Sequence, residues 1–229
     1  MARGGGMESR RWMACREPQD MLIWLGEQEG GSSARKELLF GLACLRRVED
    51  VLDEPRCRRC LDLIERRADG LVIAAEVEEA RKAAAQARRE RGEDGAEWSM
   101  ASSALDNLAR GGVFDACRFA AAAYAEKRCS AEQPWAGLQK KEKARQCDLL
   151  RDVFGDPLQP GRVAMAWRTP DVLALAQVVY DERAFDRLPI LADALEEAGC
   201  DDASVLRHCR DGGKHVKGCW VVDLVLGKS

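Results

Sequence analysis

A chain of 229 residues, with 46% apolar and 33% charged side chains, is long enough to bury one large core or two smaller ones. Its net charge of −3, with arginine and glutamate interspersed, gives no electrostatic reason to expect nucleic acid or an anionic membrane as the main partner. No stretch approaches about 18 uninterrupted apolar residues, so a membrane-spanning helix is not expected. Alanine, leucine, arginine and glutamate dominate, and this mixture predicts an all-α protein.

The first two thirds of the chain predict a series of amphipathic helices. Residues 1–6 lack the apolar run of a secretory signal and are expected to be a disordered extension. Apolar residues then recur at spacings of three and four, most clearly over 34–52, with glycine, serine or proline between the segments. Helices are predicted over residues 18–28, 34–52, 56–68, 74–91, 96–109, 113–127 and 134–154. They are expected to form an N-terminal domain over 7–154, as an antiparallel helical bundle or a short irregular solenoid.

The composition changes at residues 155–170, GDPLQPGRVAMAWRTP. Three prolines and two glycines cannot continue a helix, but Val163, Met165 and Trp167 are too apolar for a free linker. We therefore expect an ordered connector. A C-terminal helical module is predicted over 171–229, with helices at 171–182, 185–198 and 203–210 and a final segment, 219–227, for which a helix is favoured over a strand.

This C-terminal module contains both histidines and three of the ten cysteines. The spacing is Cys200-x7-His208-x6-His215-x3-Cys219, and two cysteines with two histidines are a standard ligand set for tetrahedral Zn²⁺. The cofactor that the spacing suggests is structural zinc. Two alternatives stay open: the cysteines are core thiols and the histidines hydrogen-bond to helix ends, or a Cys–His pair is reactive.

Cys57-Arg-Arg-Cys60 has the C-x-x-C spacing of a redox centre. Pro55 places Cys57 near a predicted helix start with arginines close by, which would favour a thiolate. No strand precedes it, however, and a buried pair on an amphipathic helix is the other interpretation. Without a signal peptide, most of the ten cysteines are expected to be reduced thiols of a cytoplasmic protein.

Catalytic and nucleic-acid-binding motifs are absent from the sequence. It has no G-x-S-x-G, P-loop, dinucleotide fingerprint or H-E-x-x-H. The arginine pairs, such as Arg46-Arg47 and Arg58-Arg59, have acids within one helical turn and are typical of solvated helix faces. Enzyme activity is thus not indicated by any motif.

Several segments resemble a large uncharacterised family of planctomycete proteins. They are FDRLPILADALEEAGC at 185–200, HCR at 208–210, HVKGCWVVDLVLGK at 215–228, LLRDVFGDP at 149–157 and the N-terminal WMACREPQDMLIWL and ELLFGLACLRRV. The resemblance covers most of the chain and least of residues 74–130. It implies a bacterial cytoplasmic protein from an expanded paralogous set, without an established activity. In that family the positions of Cys200, His208, His215 and Cys219 recur.

The function expected from these observations is non-catalytic protein–protein interaction, as an adaptor or scaffold with another protein as partner. Trp12, Trp24 and Trp98 are candidate contact residues, because aromatic side chains are enriched at interface anchors. The favoured alternative is that several of the six tryptophans are core residues. One alternative is a zinc- or thiol-dependent enzyme or sensor that uses the Cys/His cluster at 200–219. A second is a nucleic-acid-associated regulatory protein that uses the arginine faces.

Overall fold

The structure is a computed structural model that describes residues 8–28, 32–92 and 95–228. The predicted extension at 1–6 lies outside these ranges. All regular structure in the described residues is helical, which confirms the all-α class. The helices are α1 (Ser9–Ala14), α2 (Pro18–Gly26), α3 (Ala34–Arg46), α4 (Pro55–Ala68), α5 (Ala74–Arg91), α6 (Ala96–Ala109), α7 (Val113–Arg128), α8 (Trp135–Phe154), α9 (Pro170–Glu182), α10 (Leu188–Glu197), α11 (Ala203–Arg210) and α12 (Trp220–Leu226).

The chain divides into two compact units. The first unit comprises residues 15–149, and the second comprises 150–228 together with the short helix α1. Helix α1 was not predicted, because six residues are too few for an apolar period to be read. Trp12 on α1 is fully buried, its indole N–H donates to the carbonyl of Gly155 at 2.9 Å, and Arg151 donates to the carbonyl of Trp12. The N-terminal domain expected over 7–154 therefore differs from the first unit at both ends.

The first unit is a bundle in which consecutive helices pack against each other from α3 to α7. Helix α7 also packs against α3, which closes the series into a bundle around a shared core instead of an open solenoid. Helix α3 ends at Arg46, although the apolar spacing continues to Leu52. Beyond Arg46 the chain forms hydrogen-bonded turns, and Val48, Val51 and Leu52 in these turns are still buried. Apolar periodicity thus predicted their burial correctly but overextended the helix.

The second unit has its own apolar core, built from α9 to α12. Its fully buried members include Val179, Leu191 and Val205. The residues predicted as a connector, 155–170, belong to this unit: Trp167 packs against the core, whereas Met165 is 76% exposed. The final segment is the helix α12, as favoured from the sequence.

The tryptophans proposed as exposed contacts are instead part of the protein interior. Trp12, Trp24 and Trp98 are 0%, 9% and 3% exposed. Their rings have the largest apolar area of any side chain, so burial in a core that is otherwise rich in alanine and leucine stabilises the fold most. The burial confirms the interpretation of these tryptophans as core residues and removes them as exposed contact candidates.

None of the described helices combines the length and the apolar content that crossing a membrane requires.

The close approach of α3 to α6 generates a prediction for the first bundle. A Cβ atom on Gly41 would lie 3.3 Å from Cγ of Leu108, which is fully buried and has little room to move. We expect Gly41→Val to lower the free energy of unfolding by about 1–3 kcal/mol through overpacking. Urea denaturation followed by circular dichroism measures this loss. The control is Gly137→Val on α8, where nothing lies within 4 Å; an equal loss in both variants would contradict the predicted helix contact.

Candidate metal centre

Four potential ligands come together in the second unit from three separate segments. Asp152 lies in the last turn of α8, and His208 lies on α11. His215 is in the loop that follows α11, and Cys219 directly precedes α12. The ligand atoms of these four residues all lie within 4.8 Å of one another, so the group could hold a metal ion.

Local sequence explains how the last three ligands are positioned. Asp202 caps α11 by accepting the backbone N–H groups of Ser204 and Val205, which fixes where this helix begins. Gly218 has a φ of +94°, a conformation that glycine adopts without strain. This turn places Cys219 at the N-terminus of α12, with its own N–H donated to the carbonyl of Val216 at 3.0 Å.

The carboxylate of Asp152 is at the centre of the group. Its Oδ1 lies 2.6 Å from Nδ1 of His215 and 3.2 Å from Nε2 of His208. The sulfur of Cys219 lies 3.1 Å from Nε2 of His208 and 4.0 Å from Nδ1 of His215. One nitrogen of each imidazole ring therefore faces both the carboxylate and the thiol.

The remaining polar atoms of two ligands are held by the backbone. Oδ2 of Asp152 accepts the N–H of Val216 at 2.8 Å, which leaves Oδ1 directed at the two histidines. Nε2 of His215 lies 3.3 Å from the carbonyl oxygen of Asp211. A ring N–H donated to a carbonyl is the usual outer support of a metal-binding histidine, because it fixes the tautomer and the ring orientation.

Burial and mutual pairing shift the ionisation of the group. Burial alone would raise the pKa of Asp152, but hydrogen bonds with His208 and His215 outweigh burial and hold the pKa below its usual value. Burial would lower the pKa of His215, and its hydrogen bond to Asp152 more than reverses this. Burial, reinforced by Asp152, raises the pKa of the Cys219 thiol well above its ordinary value. These directions favour a negatively charged Asp152, a positively charged His215 and a neutral Cys219 thiol.

The separations and the donor types fit a tetrahedral transition-metal site. Zn–N bonds of about 2.0–2.1 Å and Zn–S bonds of about 2.3 Å put tetrahedral ligand atoms roughly 3.3–3.8 Å apart. The four distances given above run from 2.6 Å between Asp152 and His215 to 4.0 Å between Cys219 and His215, and no pair of ligand atoms is more than 4.8 Å apart. Side-chain adjustments of about 1 Å or less would therefore suffice.

The same geometry does not suit a Cys–His–Asp catalytic triad. In a triad, the nucleophile and the acid bind opposite nitrogens of one imidazole, so that the acid orients the base. Here His208 presents the same nitrogen, Nε2, to both Cys219 and Asp152. Cys219 is also only 1% exposed, and its pKa is raised. The atoms converge on a common point instead of forming a relay.

Three of the four ligands predicted from the sequence are in this group, and Cys200 is not. Cys200 is 4% exposed, ends α10 by donating its N–H to the carbonyl of Leu195, and belongs to the apolar core. Asp152, which the sequence reasoning missed, occupies the fourth place. The available signal was its position between Leu149 and Val153 on α8, since an acid within an apolar stripe requires a buried partner.

The Cys57–Cys60 pair does not have the properties of a redox centre. Pro55 does begin α4 and places Cys57 in its first turn, as expected. Both thiols are nevertheless fully buried, and burial raises the pKa of Cys57 to about 11 and that of Cys60 to about 12. The loss of hydration outweighs the helix N-terminus and the nearby arginines, which supports the interpretation as core thiols.

Several arginines of the predicted helix faces are engaged in ion pairs. Arg46 contacts the carboxylates of Glu49, Asp62 and Glu65 at 2.5–3.3 Å. Arg47 makes a two-pronged contact of 2.5 and 2.6 Å with Glu142, which is 2% exposed. These pairs support the interpretation of the arginine faces as internally compensated surfaces.

Comparisons of the chain with protein-family models, with curated proteins and with solved structures give no match. The resemblance to the planctomycete family stays a prediction.

The thiol chemistry can be checked by alkylation of the native protein with iodoacetamide. Cys129 is exposed and Cys15 is partly exposed, whereas Cys57, Cys60 and Cys219 are buried with raised pKa values. We expect peptide mass spectrometry to show rapid modification of Cys129 and Cys15, and modification of the other three only after denaturation. Preferential labelling of native Cys219 would contradict this expectation and would favour the thiol-dependent alternative.

Proposed function

We propose that Asp152, His208, His215 and Cys219 bind one Zn²⁺ as a structural ion, and that the chain acts without catalysis as a protein interaction module. The observation that carries the zinc proposal is the convergence of four ligand atoms from three separate segments. The non-catalytic role is supported by the closed character of this site and by its buried thiol.

The donor set selects among metals. Imidazole and thiolate ligands suit zinc, whereas Mg²⁺ and Ca²⁺ require oxygen ligands throughout. Two ring nitrogens, one sulfur and one carboxylate oxygen are all ligands that Zn²⁺ takes in proteins. Zinc would hold Cys219 as a thiolate by displacing its proton, and would relieve the buried carboxylate of its need for a protonated histidine.

The number of ligands favours a structural role. A catalytic zinc keeps three protein ligands and an open position for water, whereas a structural zinc has four protein ligands. The side chains of Asp152 and His215 are each 6% exposed and that of His208 is 18% exposed, which limits access for a substrate. The ion would tie the end of α8 to a segment 63 residues later, and a link across that separation stabilises the folded state.

Metal analysis of matched variants tests the zinc proposal. We expect about one Zn²⁺ per chain in native mass spectrometry of the untagged protein, removed by a strong chelator. Asp152→Asn and His215→Gln should weaken zinc binding on the order of 100-fold, because each removes a ligand. Cys200→Ala should retain the metal, because Cys200 is a core residue outside the site.

The outcome with Cys200 distinguishes the two possible ligand sets. Loss of zinc in Cys200→Ala together with retention in Asp152→Asn would restore the set inferred from spacing and would contradict the structural one. A chain free of metal after reducing purification, which does not take up added Zn²⁺, would refute the proposal altogether.

The interaction role is supported by apolar side chains on the surface of the first unit. Leu71 and Ile73, in the turn between α4 and α5, are 66% and 67% exposed. The N–H of Leu71 donates to the carbonyl of Arg66, so the turn is held in place. Two exposed apolar residues on an ordered turn are suited to insertion into a pocket of another protein. The cytoplasmic location and the bacterial origin of this proposed adaptor remain predictions.

Quantitative affinity purification with the tagged full chain tests this role. We expect the amount of a specific co-purifying protein to fall about tenfold or more with the double variant Leu71→Asp, Ile73→Asp, because charges would replace the apolar contact. The matched control is Ile23→Asp, which charges a single residue that is 52% exposed on α2. A partner that all variants retain equally would place the interaction elsewhere, and failure of the wild-type chain to enrich any partner would refute the adaptor role.

A further inference from the structure

We propose that a cavity between α5 and α6 in the first unit binds a phosphoryl group carried by a small molecule. The cavity has a volume of about 400 Å³, which lies within the usual range for small-ligand sites. Its lining residues come from both helices and from the start of α4. The charged side chains among them are Arg81, Lys82, Arg88, Arg89, Asp106 and Arg110.

The charge of the lining is strongly one-sided. Among the residues that the structure describes, five cationic side chains line the cavity together with one carboxylate, that of Asp106. Concentrating like charges around a cavity is unfavourable by itself, and it raises the local concentration of anions. A net charge of −3 for the whole chain makes this local excess of positive charge a specific feature of the cavity.

The acids near the cavity are already engaged. Arg81 is 9% exposed and is held by Glu78 at 2.7 Å and by Asp106 at 2.6 Å. Arg110 contacts the other oxygen of Asp106 at 3.0 Å, and Lys82 lies 3.9 Å from Glu78. Two carboxylates are thus shared among three cations, so they cannot neutralise the remaining arginines as well.

Arg88 and Arg89 contribute charge that these acids do not balance. Arg88 donates to the hydroxyl of Ser99 at 3.1 Å, and Arg89 donates to the amide oxygen of Gln86 at 2.6 Å. Both acceptors are neutral. A guanidinium has five N–H donors in a planar fork, so each arginine retains donors that match the oxygens of a phosphoryl group.

The rest of the lining indicates an organic phosphate. Ala84, Ala85 and Leu105 form an apolar wall, and the hydroxyl-bearing Ser102 lies among them. A charged rim with an apolar wall suits a phosphate ester whose body contacts the wall. A nucleic-acid strand requires an extended basic groove, whereas neighbouring arginines such as Arg56 pair with Glu54 and Glu90.

Calorimetric titration of the full chain with phenyl phosphate and with inorganic phosphate, at low ionic strength, tests the site. We expect saturable binding of phenyl phosphate with one site per chain and with affinity that decreases as salt is added. Arg88→Gln and Arg110→Gln should each weaken binding about tenfold or more, because each removes a guanidinium from the rim. These arginines are partly exposed on helix surfaces, so the substitutions are compatible with folding.

The control is Arg67→Gln, an exposed arginine at the far end of α4 that does not line the cavity. It should leave the affinity within about twofold of the wild-type value.

Tighter binding of phenyl phosphate than of inorganic phosphate would identify an organic ester as the ligand, and equal binding would identify free phosphate. Absence of saturable binding, or equal weakening by the control, would overturn the proposal, as would binding of single-stranded oligonucleotide alone. Zinc content measures the metal site in the other unit separately, so neither result determines the other.

Discussion

A buried carboxylate sets the strongest constraint on the second unit. Asp152 is 5% exposed, and a charge in such surroundings destabilises the fold by several kcal/mol unless it is paired and hydrogen-bonded. The unit satisfies this requirement with two histidines and the backbone N–H of Val216. The position of the loop after α11, the turn at Gly218 and the start of α12 all follow from bringing these partners to one carboxylate.

The same requirement explains why the site resembles a metal centre more than an active site. A carboxylate that must be compensated from all sides draws nitrogen and sulfur atoms towards one point. Catalysis by a thiol needs the reverse arrangement, with separate partners on opposite ring nitrogens and access for substrate. Here Cys219 is buried and burial raises its pKa, while contacts among the ionisable groups join three chain segments.

In the first unit, the charged groups that matter most are arginines on helix surfaces, rather than one central buried carboxylate. Many of its arginines form ion pairs with carboxylates. In the pair of Arg47 with Glu142, the carboxylate is buried and both of its oxygens accept hydrogen bonds. Around the cavity between α5 and α6, cations outnumber carboxylates, and two guanidinium groups hydrogen-bond to neutral oxygens. Overall composition hides this contrast, because the net charge is a sum over the whole chain, whereas the excess of cations is seen among the described residues that line one cavity.

The sequence by itself determined the helices and the region of the site. Apolar residues recur every three or four residues along a helix, and this spacing reflects local backbone hydrogen bonding. Helices α5, α6 and α11 therefore have the bounds that the spacing predicts. Residue type also located His208, His215 and Cys219 as a cluster. Only the tertiary structure decided that Asp152 joins them in place of Cys200, that α7 packs against α3, and that α1 docks in the second unit. Each of these contacts joins residues far apart in the chain, and their proximity depends on how whole helices pack, which no local pattern encodes.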